Sequence, residues 1–432
     1  MGSYKRKAKQ GHRTENRRPG APPLTRQAPE IEPPREPIAA WMHVVAVLAI
    51  LGVCVLAYGN NLRGKLVMDD RGILADNEHI RSLTNVPHLF RLNWWAMTPV
   101  KGAGAVYRPL AATSYAVDVF LMNGYSANRE ATDPGSGGLD VRVLHASSIA
   151  YHALASCFVY LLLLNLPGLT GRIFAAGWAA LLFAAHPVHV EAVSSHVGRA
   201  EVLSGLFFFV ATATFLYGNR ARDCLGWAVG AAMVWLAALL AKEMAVTLPV
   251  ALVLLEVFQG KKRTFAQWLA IYSPFVVAGI AYALLRHWAL TGGALGGSSY
   301  EALPLSSVSY VERLFTMTHA FAWYWVLLLA PAWLSADYSG FPVTRSMGAP
   351  AFLLSVLVVG VTLAVAAFGL RVRRQGGRKW LGVAAIGILA VYLLLFPISN
   401  LLLNTGVVVS ERGLYIPSIG LVIAAAAALD QG

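Results

Sequence analysis

Two adjacent carboxylates, Asp69 and Asp70, follow the first long apolar run of the chain by about ten residues. A positioned carboxylate can take the proton from a hydroxyl nucleophile, and this general base catalysis contributes about 10²- to 10⁴-fold in rate. An isolated Asp-Asp pair is also common in solvated turns, so the dipeptide alone is a weak signal. We predict that the pair supplies a catalytic base, with Asp70 slightly favoured.

A second polar segment, HPVHVEAVSSHVGRAE, begins at His186 and lies between two apolar runs. A loop that only turned the chain would use Gly, Asn and Ser instead. His186, His189 and Glu191 could ligate zinc or manganese, but Pro187 disrupts a regular helical His-x-x-His face, so no metal is predicted. Interfacial capping of two helix ends is the alternative to a functional site. The candidate substrate-binding residues of this segment are His189, Glu191, Arg199 and Glu201.

Further charges stand near the predicted ends of apolar runs, where polar groups are expensive and usually mark function. These candidate substrate-binding residues are Arg108, Lys242, Glu243, Glu411 and Arg412. Each could be a snorkelling or paired charge. Arg binds phosphate bidentately and Lys binds it as a point charge, so the cations together predict a site for a lipid phosphate.

A carboxylate beside a phosphate site suits the transfer of a sugar from a polyprenyl-phosphate donor to a hydroxyl. The leaving group is already a stable phosphate anion, which needs cations and no general acid. One carboxylate base is therefore enough, whereas a glycosidase uses two carboxylates. A single displacement of this kind inverts the anomeric centre.

The elements that position these residues are predicted to be membrane helices. Of the 432 residues, 57% are hydrophobic and 13% are charged, whereas a soluble domain has about 25% charged residues. Apolar runs of roughly 17 to 25 residues recur, which is the length that crosses a bilayer. The formal net charge of +13 is concentrated in short basic segments between these runs, as topology signals are. The composition therefore predicts an all-α polytopic membrane protein that binds no nucleic acid.

The alternation of apolar runs and basic loops predicts about ten transmembrane helices. The predicted spans are residues 41–58, 141–164, 173–185, 201–217, 225–241, 245–258, 266–287, 351–370, 380–397 and 414–429. A further segment, residues 311–330, contains Trp323, Tyr324 and Trp325. Aromatic residues favour the membrane interface, so we predict a re-entrant or interfacial helix there.

Residues 1–37 are rich in Pro, Lys and Arg and poor in large apolar residues. Such a segment cannot bury enough surface to fold, so we predict a disordered basic tail, placed in the cytoplasm by its positive charge. Residues 38–432 are predicted to form one membrane domain. Its first outer loop is predicted at about residues 60–140, and the candidate site faces the same side.

Five segments of this chain, taken in order, resemble the membrane portion of the transmembrane and tetratricopeptide-repeat-containing protein family. They are DDRGILADNEHI from Asp69, YRPL from Tyr107, HPVHVEAVSSHVGRAE from His186, AKEMAVTLPV from Ala241 and FPISNLLLNTGVVVSERGLYIPSIG from Phe396. That family is related to protein O-mannosyltransferases and to the GT-C glycosyltransferase fold. The likeness covers nearly all of the chain after residue 40.

The resemblance implies a GT-C-like fold with the base on the acidic motif of the first outer loop, at Asp69 and Asp70. It implies a metal-independent transfer without a cofactor, with mannose as the sugar and protein Ser or Thr as the acceptor. The expected partners are membrane lipid, a polyprenyl-phosphate-linked donor and a protein or glycan acceptor. Members usually continue into tetratricopeptide repeats, whereas this sequence ends at Gly432, so the repeats are either absent or truncated.

Three alternatives stay open from the sequence. The same fold could transfer a sugar to a lipid or glycan, or it could be a scaffold without catalysis. A transporter or flippase would place its charges at mid-membrane on broken helices, whereas these charges are predicted at span ends. The Ala-rich, Arg-rich composition favours a bacterial inner membrane, with the site facing the exterior, over the endoplasmic reticulum of a eukaryote.

Overall fold

A computed structural model describes residues 39–97, 106–125, 134–166, 168–169, 173–220, 224–291, 305–402, 404–405 and 407–430. The predicted tail, residues 1–37, lies outside this part of the chain. The regular elements of the described residues are all helices. The α-helices are α1 (Ala40–Tyr58), α2 (Val86–Leu89), α3 (Pro109–Tyr125), α4 (Val141–Asn165), α5 (Ile173–Ala185), α6 (Val190–Ser194), α7 (Arg199–Gly218), α8 (Cys224–Ala241), α9 (Leu248–Phe258), α10 (Phe265–Thr291), α11 (Tyr310–Leu329), α12 (Pro350–Arg374), α13 (Lys379–Leu395) and α14 (Ser418–Leu429).

Seven helical segments among the described residues are long and apolar enough to cross a membrane, and there are eight if the bent pair of α5 and Pro187–Ser194 counts as one span. The seven are Ala40–Arg63, Val141–Asn165, Arg199–Gly218, Cys224–Ala241, Phe265–Thr291, Pro350–Arg374 and Lys379–Ile398. The predicted all-α multi-pass class is confirmed. The predicted count of about ten spans is not.

Two predicted spans are too short as helices. α9 has 11 residues and α14 has 12, which at a rise of about 1.5 Å per residue gives about 17 to 18 Å, against a hydrocarbon thickness of about 30 Å. α8 ends at Ala241, directly before the charged pair Lys242 and Glu243, and a 3-10 segment, Glu243–Thr247, precedes α9. The apolar run predicted at residues 245–258 is therefore partly non-α.

The aromatic segment predicted at residues 311–330 forms α11, a continuous helix of 20 residues. A capping box of Ser309 and Glu312 begins it, and each side chain bonds the backbone N–H of the other residue. Trp325 donates its indole N–H to the Tyr392 hydroxyl of α13 at 2.9 Å. α11 is not one of the seven segments above, and its re-entrant or interfacial placement stays a prediction.

The centre of the helical domain is built on α7, which packs mainly against α8 and α4. Phe183 and Phe209 meet edge to face there, and the Tyr415 ring lies against Phe183. A Cβ atom at Gly205 would lie 2.5 Å from the Tyr415 ring, so glycine is required for this close approach. This packing places the first turn of α7 and the segment before α14 next to each other, where the candidate site lies.

The predicted first outer loop, residues 60–140, contains a helix that the sequence analysis did not predict. This helix, α3, has an apolar stretch at Pro109–Met122 and packs against α8, α4 and α7. Its buried residues include Tyr115 and Asp118. The long loop is therefore partly a packed element of the helical domain.

Candidate active site

The polar segment from His186 to Glu201 is shaped by a break in a helix. α5 ends at Ala185, and the chain bends by 47° into Pro187–Ser194. Pro187 has no N–H, so the Phe183 carbonyl loses its helical donor. The Nδ1 of His189 bonds that carbonyl at 2.9 Å instead.

The next carbonyl, that of Ala184, is satisfied in a similar way. Its helical donor, the N–H of Val188, bonds Nδ1 of His186 at 3.2 Å. The Nε2 of His152 on α4 replaces it at 3.0 Å from the Ala184 carbonyl. Side chains from α4 and from the bend therefore stabilise the broken helix end.

The remaining ring nitrogens of the bend are also occupied. His186 Nε2 bonds the Leu328 carbonyl at 3.0 Å, and His189 Nε2 lies 2.9 Å from the Ser418 hydroxyl. Within the described part of the chain, no group of three or more His, Cys, Asp or Glu residues could hold a metal ion. His189 is fully buried and does not line the cavity described next.

A cavity of about 470 Å³ lies at the end of the helical domain that holds this bend. Four segments line it: residues 67–69 after α1; Val190, Glu191, Ser194, Ser195 and Val197 on and after α6; residues 334–339 after α11; and residues 407–412 before α14. Four of the predicted site residues meet around it, namely Asp69, Glu191, Glu411 and Arg412.

The two adjacent aspartates differ sharply in environment. Asp69 is exposed and lines the cavity. Asp70 is 0% exposed, and its Oδ1 accepts the backbone N–H of Val197 at 2.9 Å. Burial raises the pKa of Asp70, although hydrogen bonds from backbone N–H groups oppose the shift. Met68 precedes the pair with φ at +48°, a left-handed conformation that is uncommon for a residue other than glycine. The loop is thus fixed by Asp70 and presents Asp69.

The Arg412 guanidinium is the cation of this cavity among the described lining residues. Glu191 fixes it twice, because Oε2 accepts the Arg412 backbone N–H at 2.8 Å and Oε1 lies 3.4 Å from Nε. Glu201 Oε1 lies 3.5 Å from the same Nε. Among the described residues, the Arg412 side chain has its two ion-pair contacts at Nε and no hydrogen bond at Nη1 or Nη2, and it is 27% exposed. This arrangement suits the binding of an anion at the Nη groups.

The cations Lys242 and Arg108 are already paired. Lys242 Nζ contacts Glu201 Oε1, and Arg108 lies 3.2 Å from Glu243 Oε1. Burial disfavours the charged form of Glu243, but Arg108 and Lys242 outweigh it and lower the pKa of Glu243 to about 2. None of these four side chains lines the cavity. They form an alternating row of charges that leads from Arg412 to the start of α3.

Arg199 is brought to a different place from the cavity. It is 0% exposed, and it bonds Asp118 Oδ2 at 2.5 Å, the Leu144 carbonyl at 2.5 Å and the hydroxyls of Ser147 and Ser148 at 2.8 and 3.1 Å. This guanidinium joins α3, α4 and α7. Sequence reasoning missed its partner Asp118, and the available signal was a single carboxylate within an apolar stretch.

Residues 334–339, which we call the 334–339 wall, line the cavity and are held to the segment before α14 by one carboxylate. Glu411 Oε1 accepts the Ser335 backbone N–H at 2.5 Å and the Tyr338 hydroxyl at 2.7 Å. Burial raises the pKa of Glu411, although these two hydrogen bonds oppose the shift. Sequence reasoning missed Ser335 and Tyr338, since neither stands in a charged or repeated motif.

The structure thus defines a multi-pass helical membrane protein with several carboxylates and an arginine on the lining of one cavity. No protein-family model matches the chain. It is similar to protein O-mannosyl-transferase TMTC3 of Mus musculus, at 26% identity over 89% of this chain and 42% of the relative. It is also similar to TMTC1 and TMTC4 of Homo sapiens, at 27% and 24% identity over 87% of this chain and 44% and 54% of the relatives.

These relatives confirm the family resemblance predicted from the sequence. The chain spans about half the length of the curated relatives it matches. Among solved structures it is similar to an Archaeoglobus fulgidus oligosaccharyltransferase tethered with an acceptor peptide, with a TM-score of 0.45 and 14% identity, over 90% of this chain and 49% of that one.

Proposed function

We propose that this chain is an inverting glycosyltransferase that moves mannose from a polyprenyl-phosphate donor to a hydroxyl of a protein Ser or Thr. The observation that carries the proposal is the placement of Asp69 and Arg412 on the lining of one cavity. The names of the relatives, which are protein O-mannosyl-transferases, support the sugar and the acceptor class. We further propose that the cavity faces the exterior of a bacterial inner membrane.

The proposed reaction is a single displacement. The acceptor hydroxyl binds beside Asp69, whose carboxylate takes its proton as the new bond to the anomeric carbon forms. The bond from that carbon to the phosphate oxygen breaks, and its electron pair leaves with the polyprenyl phosphate. The Nη groups of Arg412 bind the phosphate bidentately and stabilise the charge that it gains.

Asp69 is preferred to Asp70 as the base because only Asp69 lines the cavity. The Asp70 carboxylate accepts hydrogen bonds from the backbone of Val67 and Val197 and acts as a positioning residue. Glu191 positions Arg412 through the two contacts described above. Arg199, Arg108 and Lys242 support the site through their ion pairs.

The test uses the purified chain in lipid nanodiscs with polyprenyl-phosphate-mannose carrying a radioactive sugar. Peptides with Ser or Thr, free glycans and lipid extracts are offered as separate acceptors. We expect labelled peptide with an inverted anomeric configuration, and Asp69→Asn should lower turnover by about 10²-fold or more. Asp70→Asn is the matched control variant and should lower turnover by less than Asp69→Asn does.

Transfer only to glycan or lipid would keep the chemistry and change the acceptor class. Wild-type turnover in Asp69→Asn would remove Asp69 as the base. Polyprenyl-phosphate-glucose serves as the competing donor and should react more slowly than the mannose donor.

A further inference from the structure

Two basic segments of the chain are brought together at the end of α9. One is residues 261–263, which follow α9, and the other is residues 371–379, which end α12 and begin α13. Arg373 on α12 joins them, because its Nη2 donates to the Phe258 carbonyl at the last residue of α9 at 3.1 Å. The Cζ of this guanidinium also lies 3.5 Å from the centroid of the Phe258 ring. The fold thus assembles one surface from segments far apart in the sequence, and we call it the basic surface.

The basic surface carries far more positive than negative charge. Residues 256–263 and 371–379 contain eight Lys and Arg residues and a single carboxylate, that of Glu256. Glu256 is 0% exposed, and its Oε1 lies 2.6 Å from Arg263 and 3.7 Å from Lys261. Cations that are brought together repel one another. One buried carboxylate cannot neutralise eight of them, so the basic surface attracts an external anion.

Half of these cations are available to such an anion. Four are exposed, and their side chains make no hydrogen bond or ion pair with any residue that the structure describes. They are Lys262, Arg371, Arg374 and Arg378. Arg371 and Arg374 are three residues apart on α12 and so lie on one face of its last turn. Arg binds phosphate bidentately and Lys binds it as a point charge, so the four cations suit a phosphate group.

The position of the basic surface indicates that this phosphate belongs to a lipid. The surface lies at the turn between Pro350–Arg374 and Lys379–Ile398, which are both long and apolar enough to cross a membrane. Phe368 is 61% exposed and lies within two turns of Arg373, so the cations border the apolar face of α12. The 17 residues of α13 place about 25 Å of helix between the basic surface and the segment before α14. The basic surface is therefore separate from the cavity.

We propose that the basic surface binds the headgroup of an acidic phospholipid, whose phosphate is held by the four exposed cations. The positive-inside rule places this turn at the cytoplasmic leaflet, where acidic lipids attract polybasic segments. The bound headgroup offsets the repulsion among the cations and so stabilises the contact between α9 and α12. This binding does not involve Arg412, so it holds or fails independently of the proposed sugar transfer.

The test measures lipid binding to the full chain in a neutral detergent by native mass spectrometry. Phosphatidylglycerol is the acidic probe, and phosphatidylcholine with the same acyl chains is the zwitterionic one. The wild-type chain should bind phosphatidylglycerol more tightly, and equal affinities would overturn the proposal. A Lys or Arg near an acidic membrane surface contributes about fivefold in affinity, so Arg374→Gln with Arg378→Gln should weaken phosphatidylglycerol binding by about 25-fold. Phosphatidylcholine binding should not change.

A matched double variant tests whether the site is local. Arg63→Gln with Lys65→Gln also removes two exposed cations, which lie after α1, and it should bind phosphatidylglycerol nearly as the wild type does. An equal loss in both double variants would show an effect of net charge alone and would overturn the site. Arg374→Lys with Arg378→Lys keeps the charge and should retain most of the binding.

The salt dependence gives a test that needs no variant. Raising the salt from about 0.05 M to about 0.5 M screens exposed charges. It should weaken phosphatidylglycerol binding to the wild-type chain and leave phosphatidylcholine binding unchanged. Phosphatidylglycerol binding that does not respond to salt overturns the proposal, including when a variant fails to fold.

Thermal unfolding tests the stabilising role and the joint action of the two segments. Phosphatidylglycerol should raise the melting temperature of the wild-type chain, and Lys262→Gln and Arg374→Gln, one from each segment, should both reduce this rise. An undiminished rise in Lys262→Gln would show that the two segments do not hold one headgroup. Glycerol phosphate, which lacks the acyl chains, should not raise the melting temperature. A rise equal to that with the lipid would identify a site for a soluble anion and would overturn the lipid assignment.

Discussion

Asp70 accepts the backbone N–H of Val197 through Oδ1 at 2.9 Å, and this bond joins the loop after α1 to the turn before α7. Ser195 on the same turn lies 3.5 Å from that oxygen. Asp69 directly precedes Asp70 in the loop, so its place on the cavity lining depends on the Asp70 contacts. One carboxylate of the pair thus positions the other.

Asp70→Ala should destabilise the chain by about 1–3 kcal/mol, because the buried Val197 N–H would lose its acceptor. Asp70→Asn keeps one acceptor oxygen and should be milder. Thermal unfolding of the detergent-solubilised protein measures both. Asp69→Ala is the control and should unfold near the wild-type temperature, since Asp69 is exposed. An Asp70→Ala variant as stable as wild type would show that the contact does not hold the loop.

The raised pKa of Asp70 predicts a pH dependence of stability. Burial raises this pKa from 3.8, so between the unfolded and folded values the native state binds more protons than the unfolded state. Stability from this group is therefore lost as the pH rises through that window, and it is constant above it. Asp70→Asn does not titrate, so its melting temperature relative to wild type should increase from pH 3.5 upward and then level off. A relative increase on acidification would contradict the predicted direction.

The buried pair of Arg199 and Asp118 predicts strong coupling between two substitutions. Arg199→Met leaves Asp118 as an unpaired buried charge and should destabilise by about 3–5 kcal/mol. Arg199→Met with Asp118→Leu removes both charges and should recover much of that loss. Thermal unfolding of the two single variants and the double variant measures the coupling. Additive effects would show that the 2.5 Å ion pair is energetically unimportant.

Donor affinity in the same double variant shows whether Arg199 binds the donor directly or only stabilises the fold through its ion pair. The sequence predicted Arg199 as a donor-binding residue, whereas the structure places it at 0% exposure and off the cavity lining. A double variant that folds should therefore bind the donor nearly as wild type does. A large loss of affinity in a stable double variant would support the direct role.

The sequence predicted the all-α membrane class because hydropathy is a local property of the chain. It did not predict α3, because the apolar stretch Pro109–Met122 is shorter than a membrane span, and the burial of this helix depends on its packing against α4, α7 and α8. The predicted count of about ten spans is not confirmed, because an apolar run does not show where its helix stops. α8 stops at Ala241, and the 3-10 segment Glu243–Thr247 separates it from α9, whose first turn contains Pro249.

The candidate site was predicted as a set of residues but not as a geometry. Asp69, Glu191 and Arg412 were selected from motifs, and the structure places them on one cavity. Arg199 was selected by the same reasoning, yet its partner Asp118 lies 81 residues away in the sequence. Which cation is fully buried and which lines the cavity depends on tertiary contacts, so the sequence could not separate Arg199 from Arg412.

The histidines at the α5 bend predict an effect on stability and no metal dependence. A carbonyl can only accept, so His152 Nε2 donates to Ala184 and Nδ1 accepts the Tyr415 hydroxyl at 2.8 Å. His152→Leu removes both bonds and should destabilise by about 1–3 kcal/mol, more than Tyr415→Phe, which removes one. EDTA should leave the melting temperature unchanged. A fall in melting temperature that zinc reverses would indicate a metal site at the bend.

The bonds of Glu411 to the 334–339 wall predict a specific kinetic effect. The Tyr338 hydroxyl donates to Glu411 Oε1 at 2.7 Å, and the Ser335 N–H donates to the same oxygen at 2.5 Å. Tyr338→Phe removes the first bond and keeps the second, so the 334–339 wall is held less tightly but stays bonded to Glu411.

A hydrogen bond to a charged group contributes about 1.5–3 kcal/mol. We propose that the 334–339 wall contacts the acceptor, so we expect the acceptor KM to rise about tenfold, with donor affinity near that of wild type because the Glu191 bond to the Arg412 backbone is unchanged. Initial rates at saturating donor and varied acceptor measure this, and Tyr310→Phe, at an exposed position on α11, is the matched control. A rise in the donor KM with an unchanged acceptor KM would instead place the wall at the donor.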